Sequence, residues 1–431
     1  MTTFFPIRNK PQNSLYKNGD ILVLFGELFS RGYANGLVDE AERIGMTVVR
    51  ATIGRRDRDM NLRPLNNEEL MAMPKPFINI PIEAGFDLEP DNQGLTPIDR
   101  LKEVKLSDWE NFNEPLSTWE ESRIKGQNRF KSNVVSFLTE IEKIWKPGQN
   151  VLFAHLMAGG VPRAKIIMPL MNRSFKGTGD RYLSSEKFWN SSIGQLCALS
   201  FNEVTAETFR LLIELSSGLR EKIEKSGSHV SYTAFGYHGT EVLINDQYQW
   251  QTYTPYLQGW AKIKLENYAA DFYKKSISCC VYNCPEILTN SSSIFQGVEV
   301  SLYPLIQALQ KEVPQSAKAK EILNKCQELL KEGNTFEKMK SYLNNYFSNP
   351  LISEKNNYKA WPMHSSQTHL EFMLNTSDGL IEMHKDTKHL ITQVLSELVF
   401  ESCGKVMLHD SWSPKTPCAW INHDLVAKCL N

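Results

Sequence analysis

Residues 20–59, "DILVLFGELFSRGYANGLVDEAERIGMTVVRATIGRRDRD", hold glycines and cations at the intervals an extended anion would need. Gly26, Gly32 and Gly36 lie between a short apolar run and an amphipathic one. A glycine turn of this kind lets main-chain N–H groups and the positive end of the next helix approach a pyrophosphate. The interval from Gly26 to Gly32 departs from G-x-G-x-x-G, and an ordinary strand-to-helix loop is the competing reading. Ser30 and Arg31 add a hydroxyl and a guanidinium beside the expected phosphate. Arg55 and Arg56 end the second apolar run, where the adenosine ribose of a dinucleotide should lie. A single acid there would bond a free 2′-hydroxyl, whereas two guanidiniums can clamp a 2′-phosphate in bidentate fashion. NADPH is therefore expected ahead of NADH, the alternative for the arginines being a solvated loop continued by Asp57, Arg58 and Asp59.

The elements that must position these groups follow from apolar periodicity. "ILVLF" has strand length, and Leu37, Val38, Ala41 and Ile44 keep helical spacing up to Gly45. "MTVVRATI" is rich in β-branched residues and makes the second strand of a β-α-β unit. "PFINIPIEAGFDL" is expected as a third strand, then the helix "NVVSFLTEIEKIW", then the strand beginning "VLFAHLMAGG". Residues 161–188 lack sustained periodicity and are expected to be an insertion, with Arg163, Lys165, Arg173, Lys176 and Arg181 as a mouth for an acidic partner or as a solvated basic loop. A helix near 203–225, the strand "HVSYTAFGY", a helix after Pro255 and the strand "SISCCVYN" complete the alternation. Strands alternating with helices predict an α/β, Rossmann-like, doubly wound parallel sheet with insertions and a mainly helical C-terminal extension. The expected divisions are a lead-in over 1–19, a dinucleotide-binding domain over 20–314, and a helical cap or extension over 315–431.

Composition excludes several function classes. Lys+Arg 48 against Asp+Glu 49 leaves a net charge of -1, so no global field favours nucleic acid or an anionic membrane. No apolar run approaches the roughly 20 residues that span a bilayer, and no secretory leader is evident, so a cytoplasmic protein is expected. The eight cysteines form neither a disulfide framework nor paired metal knuckles, and are expected to be reduced core thiols. His364 and His369 lack a third ligand, so no metal site is expected and both are read as surface or helix-cap residues.

Five blocks between about Asp20 and Leu309 resemble, in order, the short-chain dehydrogenase/reductase superfamily, and within it the enoyl-acyl-carrier-protein reductases, including the larger divergent enoyl-thioester reductases. "GELFSRGYA" is similar to their cofactor turn, and "HLMAGG" to the segment against which the cofactor lies, with Ala158 and Gly159. "VSYTAFGYHGTEV" is similar to their S-Y-L-G strand and loop, and "TPYLQGWAKIKLENYA" to their tyrosine-lysine helix. "CPEILTNSSSIFQGVEVSLYPLIQAL" is similar to the later substrate loop. Two departures stand out: Tyr256 precedes Lys262 by an interval the superfamily does not normally use, and Ala234 stands where enoyl reductases carry an extra tyrosine.

What the resemblance implies is reduction of the double bond of an enoyl thioester, in fatty-acid or related acyl-chain synthesis. The cofactor supplies a hydride, and a tyrosine hydroxyl stabilises the enolate oxygen that forms. Tyr256 is expected in that role, with Tyr253 its rival and Tyr237 the substitute for the missing extra tyrosine. Lys262 would lower the phenol's pKa and hold the nicotinamide ribose, Lys264 being its rival. Thr289 would bond the carboxamide, and Thr233 or Ser231 would line the same pocket. The expected partners are an acyl thioester and an acyl carrier protein or coenzyme A, with a homo-oligomer as an option. A ketoreductase that pairs the tyrosine with Ser231, and a non-catalytic NAD(P)-binding or redox-sensing module, are the alternatives.

Overall fold

Every residue of "ILVLF" is buried, as a strand covered on both faces requires. The computed structural model describes residues 5–252, 257–289, 296–356 and 364–430. We label the strands β1 (Phe5–Ile7), β2 (Ile21–Phe25), β3 (Thr47–Thr52), β4 (Phe77–Pro81), β5 (Val151–His155), β6 (Val230–Phe235), β7 (Gly239–Ile244), β8 (Gln247–Thr252), β9 (Cys279–Asn283) and β10 (Cys418–Ile421). Eight of them form one sheet in the order β1-β10-β9-β6-β5-β2-β3-β4, with parallel pairing throughout. β7 and β8 form a separate antiparallel hairpin. Chain order reverses between β2 and β5, the switch point of a doubly wound sheet.

Side-chain alternation divides the core into two layers. Leu22, Leu24, Val48, Leu152 and Ala154 face one layer, which includes α1 (Tyr33–Arg43) and a C-terminal helix, α9 (Ile391–Asp410). Ile21, Val23, Phe25, Val49 and Phe153 face the other, formed by α2 (Glu120–Ile144), α5 (Thr208–Leu215) and α6 (Leu257–Lys274). A third core includes Phe86, Trp119, Leu170, Phe188 and Phe201, from segments that leave the carboxyl ends of β4 and β5. The insertion at 161–188 is part of it, and carries α3 (Ile167–Lys176) in place of the irregular chain expected; the helix α4 (Ser192–Phe201) follows.

Two further expectations change. The tail from 315 is not a separate cap: its helices, among them α7 (Phe336–Ser348), share the α1-side core through Cys326, Leu343 and Leu370, and β10 lies inside the sheet between β9 and β1. The first 19 residues are likewise more than a lead-in, since β1 forms the edge of the sheet. Gly36 serves helix packing, because a Cβ there would overlap the Phe400 carbonyl of α9. None of the eight cysteines forms a disulfide, and Cys429 alone is not fully buried. His369, read as a surface or cap residue, is buried behind the first turn of α8 (Gln367–Glu382).

Candidate active site

Gly26 ends β2 with φ +130°, a conformation that side chains rarely adopt, and a Cβ there would lie 3.0 Å from Leu156 Cβ. The Leu156 amide donates to Phe25 O at 2.9 Å, so the ends of β2 and β5 meet and the crevice opens just beyond them. Two cavities of about 240 Å³ and about 230 Å³ share Glu27, Phe29, Leu156 and Ala158 as walls. They read as two lobes of one elongated site.

α1 starts behind Gly32 with no side-chain cap on its first-turn N–H groups. Arg31, Gly32 and Asn35 line the first lobe, and Asn35 Oδ1 is buried without a hydrogen-bond partner among the described residues. An anion fits this end, drawn by the helix dipole and the Arg31 charge. Ser30 is exposed nearby and is not among the wall residues. Ala158 and Gly159 also line this lobe. The Gly159 amide donates to Thr205 Oγ1 at 3.1 Å, and Thr205 lies on a π-helical turn, Asn202–Glu207, of a kind that often accompanies functional sites.

The same lobe contains Lys262, Tyr237, Glu286 and Thr289. Lys262 is only 8% exposed, and its ammonium donates to Phe235 O at 2.5 Å. Burial pushes the Lys262 pKa down to about 8, against the pull of the Glu266 charge. Lys264 instead pairs with Glu207 at 2.7 Å and is not among the residues that line this lobe. Tyr237 Oη donates to Glu286 Oε1 at 2.6 Å. Tyr256 and Tyr253 lie outside the described residues.

Two expected wall residues lie elsewhere. Thr233 is fully buried within β6 and absent from the lining. Ser231 sits near the amino end of β6, bonded to Tyr16 Oη at 2.5 Å. It lies four positions before Phe235 and the crevice, roughly 13 Å along a strand. A ketoreductase's serine is therefore not available to the reactive end.

At the adenosine end, neither arginine presents an uncompensated charge. Arg55 forms a bidentate pair with Glu27, at 2.9 and 2.8 Å, and Arg56 pairs with Glu83. Burial works against ionisation of Glu27, but bonds from Arg55, Thr52 and the Ile53 amide offset it and hold the carboxyl below its ordinary pKa. Both arginines on which the NADPH expectation rests are thus paired with carboxylates, and neither is among the residues that line the two lobes. Sequence reasoning overlooked Glu27, although a carboxylate directly after the turn glycine was a readable signal. It also overlooked Glu286, which stands in plain view in "CPEIL".

No group of His, Cys, Asp or Glu that could hold a metal ion occurs among the described residues, and no described helix is long and apolar enough to cross a membrane. The first lobe therefore holds the amino terminus of α1 and Lys262 together.

Comparison with known proteins agrees with this geometry. None of the curated proteins matches the chain. An apo structure of FabMG, described as a novel type of enoyl-acyl carrier protein reductase, is 45% identical, with TM-score 0.96 over 100% of this chain and 99% of that one. An NADH-bound FabMG structure is 39% identical, with TM-score 0.76 and the same coverage. The family model for enoyl-acyl carrier protein reductase FabMG matches residues 3–430, and this chain belongs to that family.

Proposed function

We propose that this enoyl-thioester reductase uses NADH, holds its ribose with Lys262, and polarises the thioester oxygen with Tyr237, Tyr256 being the rival donor read from the sequence. The observation that carries this reading is one lobe that contains the α1 amino terminus, Lys262, Tyr237 and Thr289 together. The cofactor, when bound, supplies the hydride for the β-carbon. The chain's part is then to orient it and to meet the enolate oxygen with a positioned donor. Lys262 suits the first task, since a buried ammonium can bond vicinal ribose hydroxyls while keeping its bond to Phe235 O. A phenol suits the second, being neutral at pH 7 and a ready donor.

A divergent branch of the short-chain dehydrogenase/reductase superfamily is the favoured ancestry, supported by the strand order and by a lysine on the helix after β6 and its hairpin. An acyl-carrier-bound substrate is favoured over coenzyme A by the family's chemistry and by exposed Lys165 and Arg181 on the insertion. NADH decay with trans-2-enoyl thioesters, carried on acyl carrier protein and on coenzyme A, tests the whole reading. Retention of full turnover in both Tyr237→Phe and Tyr256→Phe would remove it.

NADH is favoured over NADPH because Glu27 and Glu83 neutralise the two arginines at the adenosine end. Glu27→Gln leaves the Arg55 guanidinium uncompensated, and is expected to shift the ratio of KM values about tenfold toward NADPH, the worth of one charge-assisted bond. An unchanged ratio would mean that Glu27 does not set cofactor choice.

A further inference from the structure

Glu286 is buried in the wall of the reactive lobe, and the chemistry outlined above leaves it without a task. Its Oε1 accepts the Tyr237 hydroxyl at 2.6 Å, and Ser301 also bonds it. Glu299, on the short helix Val298–Leu302, faces it and adds repulsion, while its own carboxylate accepts from Ser377 at 2.8 Å and Thr392 at 3.2 Å. Tyr346 faces it from the helix Phe336–Ser348, and Lys262 shares the lobe with its ammonium turned to Phe235 O. No ion pair to Glu286 occurs among the described residues.

We propose that Glu286 is a positioning and proton-supplying residue that acts through Tyr237, deciding whether the Tyr237 proton faces the crevice or is held back. An ionised carboxylate can only accept, so it captures the phenolic proton and leaves the oxygen's lone pairs toward the substrate. A neutral carboxyl can donate to the phenol oxygen, which frees the phenolic O–H for the thioester oxygen. The proton balance then closes. With hydride delivered to the β-carbon, the enolate oxygen takes the Tyr237 proton, the phenolate takes the Glu286 proton and the carboxylate recovers one from water in the crevice; the enol then tautomerises, its α-carbon gaining a proton from water as its O–H proton is lost. Net consumption is one hydride and one proton per double bond.

Burial pushes the Glu286 carboxyl up to about 7, with Tyr237 and Ser301 opposing and Glu299 assisting. The acid form therefore prevails below neutral pH, and the competent arrangement is lost as pH rises through that value. This inference rests on Tyr237 meeting the substrate, so the test includes a variant for each residue. With saturating NADH, kcat/KM for crotonyl-acyl carrier protein is followed against pH in wild type, Glu286→Gln and Tyr237→Phe, with NADH fluorescence titration confirming that each variant is folded. We expect an alkaline fall near pH 7 in wild type that disappears in Glu286→Gln, with turnover at acid pH down by about tenfold or more. Infrared difference spectra of the cofactor-free protein should show a protonated carboxyl band, lost near the same pH and missing in Glu286→Gln. If Tyr237→Phe is impaired but Glu286→Gln keeps the wild-type pH profile, the Glu286 role is overturned and the Tyr237 role stands. Full turnover in Tyr237→Phe would overturn both.

Discussion

Lys262→Met is expected to lower kcat/KM for the enoyl thioester by about 10²–10³-fold, or about 3–4 kcal/mol of transition-state stabilisation. Methionine matches the lysine stem in length and fits the same buried channel, so the loss isolates the ammonium. The change also leaves Phe235 O without its donor, which adds a stability cost of about 1–3 kcal/mol. NADH affinity should therefore fall alongside turnover, as fluorescence titration would read. Lys264→Met is the control: that side chain is 40% exposed and pairs with Glu207, and a part-solvated pair is worth at most about 1 kcal/mol. Should turnover follow Lys264 and spare Lys262, the placement of the reactive end in this lobe would be lost. The pH dependence gives a second handle. Lys262 loses its proton near pH 8, above the range in which Glu286 titrates, so Glu286→Gln should leave an alkaline limb near 8 that Lys262→Met removes.

The sheet's inner strands were legible because burial on both faces leaves an uninterrupted apolar run, as in "ILVLF", "VLFAH" and "CCVYN". β1 and β10 escaped notice because each is very short, and the first carries a proline in an edge position. The β7–β8 hairpin was readable in principle: Asn245 and Asp246 both take positive φ, the signature of a tight hairpin turn between alternating residues. The lobe that contains Ala158, Gly159, Lys262 and Thr289 was reached through ordered blocks of family resemblance. What could not be reached was pairing. Arg55 and Arg56 look like phosphate ligands in isolation, and only tertiary structure brings Glu27 and Glu83 to them from distant positions in the chain. Burial at Glu286 is equally invisible in a string of residues, since the same carboxyl in solvent would be an ordinary acid.

Gly36→Ala should be among the most damaging small substitutions in the chain. Glycine-to-alanine in a helix interior ordinarily stabilises, by about 0.4–1 kcal/mol, because the unfolded chain has fewer conformations to lose. At Gly36 a methyl would overlap the Phe400 carbonyl, and the reciprocal residue, Gly404, would place its own methyl on the Gly36 carbonyl carbon. Both obstacles are backbone, so no rotamer change relieves them, and α1 and α9 must separate. Overpacking of this severity costs about 3 kcal/mol or more. The effect would also reach the candidate site, because the amino terminus of α1 lines its first lobe. We therefore expect a urea midpoint shift of that size in Gly36→Ala, together with weakened NADH binding in whatever remains folded. Gly218→Ala provides the contrast: that glycine lies in the helix Ser217–Lys225 with nothing within 4 Å of an added Cβ, and the same substitution should raise the midpoint. Equal responses at the two positions would show that the α1–α9 contact yields more readily than backbone packing should allow.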